Sequence, residues 1–108
     1  MRCLLLLMLV FISSCTEPLP EQAPVETNSV RIMAIRFEPK IIKIKVGTTV
    51  TWTMDGVGYH NVVWPGFRSP FLNKQGESWS HKFDETGRIT YFCEPHSAMG
   101  MTGTIIVE

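Results

Sequence analysis

Apolar and polar residues alternate in short runs along most of the chain, the period-two pattern of half-buried strands. Ile42, Ile44 and Val46 alternate with Lys43 and Lys45, so one face is apolar and the lysines point to water. Gly47 permits a turn into Thr48 to Met54, where Val50, Trp52 and Met54 share a face and threonines line the other. Val30 to Phe37 reads as one half-buried run carrying Arg31 and Arg36. Glu77 to Phe83 places Trp79, His81 and Phe83 in phase, and Asp84-Glu85-Thr86-Gly87 turns it, in the manner of a hairpin, into Arg88 to Cys93. Gly103 to Glu108 is the closing strand. Two prolines and two glycines between Trp64 and Gly76 predict a loop there. About seven to eight short strands, with no helical period, predict an all-β Greek-key sandwich.

The first 29 residues follow another pattern. Residues 1–14 carry one cation, Arg2, then an apolar stretch and two serines, the layout of a secretory signal peptide. The stretch is too short to span a membrane comfortably. Ile12-Ser13-Ser14-Cys15 resembles a bacterial lipobox, which would make Cys15 the lipidated N-terminus of the mature chain. Residues 15–29 contain Pro18, Pro20 and Pro24 and three glutamates, with no Lys or Arg, and read as a flexible tether. Stretched out at roughly 3 Å per residue, such a tether would hold a domain of residues 30–108 about 40 Å from a membrane surface. The expected location is therefore extracytoplasmic, in a periplasmic space.

Ten basic residues balance ten acidic ones. No basic cluster of the kind that grips phosphates is present, which argues against nucleic acid as a partner. With Cys3 removed in the signal and Cys15 capped, Cys93 is a lone thiol in an oxidising compartment, and metal ligation supplies a reason for it.

Cys93 lies in a loop between two strand-like runs, with His96, Met99 and Met101 close behind. A thiolate and thioethers are soft donors and imidazole is borderline, a combination that selects copper. Trigonal blue-copper geometry requires a second imidazole, and His60, which opens the short run to Trp64, is the candidate. Asn61 follows it, available to tie that run to the Cys93 loop. Pro95 has no N–H to donate to the sulfur. His81 shares the inward face of Trp79 and Phe83 but has no soft donors beside it, so it reads as structural.

Cys93-Glu94-Pro95-His96 followed by Met101-Thr102-Gly103, with His60-Asn61 upstream, resembles the plastocyanin, pseudoazurin and amicyanin group of cupredoxins. Phe37-Glu38-Pro39, Gly47, Val50-Thr51-Trp52 and Gly76-Glu77 match further landmarks of that group in the same order. The resemblance covers roughly Val30 to Glu108 and implies a type 1 copper site, one ion per chain, ligated by His60, Cys93, His96 and Met101. Met101 is preferred over Met99 because Met-x-Gly precedes the closing strand and Gly100 lets the backbone turn. Glu94 departs from the small hydroxyl residue many relatives carry, and its carboxylate would favour Cu(II).

The function implied is one-electron transfer, without enzymatic activity, by a monomer that docks transiently on redox proteins such as a cytochrome or a copper oxidoreductase. The docking patch implied around His96 comprises Val57, Gly58, Pro65, Phe67, Met99 and Gly100. Two alternatives are a membrane-tethered module for copper storage or delivery and a docking subunit of a larger redox enzyme.

Overall fold

A computed structural model describes residues 22–108. The expected signal peptide and Cys15 lie outside those residues. Ten short strands form two facing sheets. In chain order they are β1 (Val25–Glu26), β2 (Ser29–Ile32), β3 (Phe37–Glu38), β4 (Ile41–Ile44), β5 (Thr48–Met54), β6 (Val63–Trp64), β7 (Phe67–Arg68), β8 (Ser78–Phe83), β9 (Gly87–Phe92) and β10 (Thr102–Val107). One sheet has the order β1-β4-β10-β9-β6-β7 and the other β3-β2-β5-β8. Among the described residues the only helical turn is a 3-10 turn, Ser97–Met99.

The alternation seen in the sequence becomes the core. Val50, Trp52 and Met54 of β5 are buried together with Val30 and Ile32 of β2, and face Ile42, Tyr91, Ile105 and Val107 of the other sheet. Trp52 stands at the centre, edge-on to Tyr91 at 5.5 Å between ring centroids and 5.3 Å from Trp79. Tyr91 in turn lies over Gly103, its register partner on β10, where a Cβ would collide with the phenol ring.

Five expectations change. The strands number ten among the described residues: the run Val30 to Phe37 breaks into β2 and β3, joined by a tight turn in which Met33 N–H bonds to Arg36 O at 2.9 Å, and β1 and β7 are further strands. The segment Trp64 to Gly76 is not all loop: Pro65-Gly66 reverses the chain between β6 and β7, which pair as a small antiparallel hairpin. Asp84 to Thr86 does not close a hairpin, since β8 and β9 belong to opposite sheets and the segment crosses between them. Val46, in phase with Ile42 and Ile44, is past the end of β4 and exposed. Val25–Glu26 pairs in parallel with Ile42–Lys43, so hydrogen-bonded structure begins before Val30.

Candidate metal centre

His60, Cys93 and His96 converge from distant points of the chain, with their ligand atoms all within 4.8 Å of one another. His60 sits in an isolated bridge outside the named strands. Its N–H bonds to Leu72 O at 3.0 Å and its carbonyl accepts Leu72 N–H at 2.7 Å. The side chain is fully buried. Its Nε2–H donates to Val57 O at 3.3 Å, which leaves Nδ1 as the lone-pair atom, 3.6 Å from Cys93 Sγ. Gly58 is packed against the other side of this ring, where a Cβ would come within 2.6 Å of Nε2.

Cys93 follows the end of β9 and is buried, while His96 is half-buried with Nδ1 at 3.4 Å from Sγ. The loop between them is built from backbone bonds. His96 N–H reaches Cys93 O, and the 3-10 turn then ends at Gly100 in the left-handed region, φ 78°. That conformation suits glycine and reverses the chain. Met101 consequently turns inward: its N–H bonds to His96 O at 3.4 Å, its carbonyl accepts Cys93 N–H at 3.1 Å, and its side chain is fully buried. Met99 is 65 % exposed.

Burial acts in opposite senses on the two kinds of donor, favouring the ligating neutral form of His60 and the protonated form of Cys93. Burial pushes the Cys93 thiol up from its ordinary range, and the Glu94 carboxylate adds to this, while backbone N–H groups of Asn61 and His96 oppose it. Burial lowers the pKa of His60, with the Val57 carbonyl opposing and His96 adding to the effect. A bound cation favours thiolate and neutral imidazole, the forms that ligate. Metal bonds of about 2.0–2.3 Å are compatible with the 3.4 and 3.6 Å separations between nitrogen and sulfur. A buried thiol and two imidazoles that converge, with the buried Met101 on the same loop, are a combination of donors suited to copper.

Asn61 ties the two halves of this site through Glu94. Its Oδ1 accepts Glu94 N–H at 3.0 Å and its Nδ2 donates to Glu94 Oε1 at 2.7 Å. Ser69 and Arg68 carry parts that the sequence did not announce. The buried Ser69 hydroxyl accepts Val62 N–H at 2.8 Å, and Arg68 Nη2 donates to Glu94 Oε2 at 2.8 Å. Of the residues expected around His96, Val57, Gly58, Pro65, Met99 and Gly100 are exposed. Phe67 differs, being half-buried and stacked on Trp64 at 4.5 Å. Tyr59 and Phe71, flanking the His60–Leu72 bridge, are exposed and stacked at 4.3 Å, a pairing missed because it depends on that bridge. His81 packs edge-on against Trp64 and Phe83, in the structural position expected of it.

Residues 67–108 match the family described as copper binding proteins, plastocyanin/azurin family. Plastocyanin of Scenedesmus fuscus is 42% identical over 87 residues, an alignment covering 69% of this chain and 89% of that protein. Amicyanin-alpha of Methylorubrum extorquens is 33% identical over 95 residues, covering 82% of this chain and 77% of the other. A solved purple cupredoxin from Nitrosopumilus maritimus superposes with a TM-score of 0.67 at 32% identity, covering 76% of this chain and all of that one. With the convergence of His60, Cys93 and His96 inside a two-sheet sandwich, these similarities place the chain in the cupredoxins, as a member of the plastocyanin/azurin family of copper-binding proteins.

Proposed function

We propose that His60, Cys93, His96 and Met101 hold the copper ion and that the protein carries single electrons between extracytoplasmic redox proteins. The observation that carries this reading is the gathering of one thiol and two imidazoles within 4.8 Å, in a site where His60, Cys93 and Met101 are all buried. Copper there supplies one-electron chemistry, cycling between Cu(II) and Cu(I). The chain holds the donors through backbone bonds and excludes water, so that either oxidation state meets the same cage. Four protein donors leave no open position for a substrate, which favours a carrier over an enzyme. The half-buried His96 offers a route for the electron to the surface. Around this end Val57 and Met99 are exposed, and with Tyr59 and Phe71 they give an apolar face suited to brief docking of a cytochrome or copper oxidoreductase.

Addition of Cu(II) to the metal-free protein tests the assignment. One equivalent should generate an intense visible absorption, bleached by mild reductant and restored by oxidant. Weak colour, or copper lost to a chelator as fast as it is reduced, would favour storage or delivery. Tethering to a membrane through lipid on Cys15 is part of the same proposal and rests on the Ile12-Ser13-Ser14-Cys15 run. Replacing Cys15 by Ala should release the protein from the membrane fraction. Unchanged association would remove the anchor from the proposal.

A further inference from the structure

The residue after Cys93 is an acid, and the structure gives that acid two partners from separate parts of the chain. Asn61, next to His60, binds both its backbone N–H and one carboxylate oxygen. Arg68, from the β6–β7 hairpin, binds the other oxygen at 2.8 Å. Among the described residues the remaining ion pairs are Arg31–Asp55, Lys43–Glu108 and Lys82–Asp84, and none includes a residue adjacent to a proposed copper ligand. The Glu94 side chain is 32 % exposed and that of Arg68 is 65 % exposed, so solvent weakens the pair without cancelling its field.

We propose that Arg68 is a positioning and charge-compensating residue for the copper centre: by pairing with Glu94 it offsets the carboxylate beside the Cys93 thiolate and holds the reduction potential above the value Glu94 alone would impose. This rests on the copper assignment above. The physical basis is the charge difference between the two oxidation states. A negative charge near the centre favours Cu(II), and a positive charge favours Cu(I). Glu94 and Arg68 act with opposite sign from one place, because the hydrogen bond holds them together. The β6–β7 hairpin thus places a cation beside the Cys93 loop.

The test measures reduction potentials of copper-loaded Arg68→Met, Glu94→Gln and the double variant. Glu94→Gln keeps the size, one acceptor for Asn61 Nδ2 and the backbone bond to Asn61 Oδ1, and removes the acceptor for Arg68 along with the charge. Arg68→Met should shift the Cu(I)/Cu(II) ratio at fixed poise toward Cu(II) by about two- to fivefold, the range for partly exposed charges. Glu94→Gln should shift it toward Cu(I) by a similar factor. The double variant should return close to the parent, and Arg68→Lys, which keeps the charge, should lie nearer the parent than Arg68→Met. Both shifts should shrink with added salt. Unmoved potentials, or single variants that move in the same direction, overturn the inference. Loss of the visible band in both single variants would show a purely mechanical bolt and would also overturn it. A parent protein that develops no such band would instead bring down the copper assignment, which separates the two failures.

Discussion

Nε2 of His60 lies 2.6 Å from the point where a Cβ on Gly58 would stand. The glycine therefore does more than permit a loop with φ +125°: it leaves the space the buried imidazole occupies. His60 is fully buried and its backbone is pinned by the bridge to Leu72, so the ring has little room to yield. Gly58→Ala should displace it and lower copper affinity by about tenfold, the cost of roughly 1.4 kcal/mol of strain and misplacement. Competition with a chelator of known affinity measures this. Unchanged affinity would show that the ring relaxes freely.

Replacing Cys93 by Ser should abolish the intense visible band, because the thiolate supplies the charge-transfer transition. Copper should still bind, more weakly, through His60 and His96. Absorption spectra of the copper-loaded variant decide this, and parental colour would remove Cys93 from the ligand set.

The loop offers two thioethers, one buried and one exposed. Met101→Leu should leave copper bound, alter the spectrum and raise the potential by something on the order of 100 mV, a fraction of the roughly 0.8 V over which axial-ligand identity tunes haem iron. Met99→Leu should leave both nearly unchanged and alter only the rate of reaction with partners. Voltammetry of the two variants separates them, and the reverse result would make Met99 the ligand.

Tyr91 and Gly103 make a close contact of a different kind, in the core beneath the Cys93–Met101 loop. A methyl at position 103 would drive into the phenol ring, itself wedged between Phe37 at 4.7 Å and Trp52. Gly103→Ala should cost about 1–3 kcal/mol of stability, as overpacking of a filled core does. Denaturant unfolding of the metal-free protein gives the number, and an undiminished midpoint would show slack in this part of the sandwich.

In the metal-free protein His60 titrates below its unfolded value of 6.5 because burial disfavours its charged form. The unfolded chain then binds a proton that the folded one does not, so stability falls as pH drops below about 6.5, by up to about 1.4 kcal/mol per pH unit. The loss stops once pH passes below the folded pKa, where both states are protonated. Unfolding measured across this window should show the decline in the parent and a smaller one in His60→Gln. Equal slopes in both would assign the effect elsewhere.

Much of this was legible in the residues alone, for reasons tied to range. Period-two alternation is a local property, so β4, β5, β8, β9 and β10 could be read wherever their inward faces are apolar, as in Val50, Trp52 and Met54. Cys93, Pro95 and His96 are close in sequence, and the demand for a second imidazole pointed to His60. Gly100 before Met101 signalled the chain reversal that the structure shows. What alternation could not supply was the choice of partner. Residues 63–68 are too short and too rich in turn formers to carry a period, so their hairpin exists only because Val63 pairs with Phe92 of β9. Val46 keeps the period and is exposed, because burial depends on whether a second sheet covers the position. Arg68 and Glu94 are 26 residues apart. Each reads as an ordinary solvated charge until the sandwich brings the hairpin against the copper loop, and which charge meets which is decided by that packing, since electrostatic attraction acts across space and not along the chain.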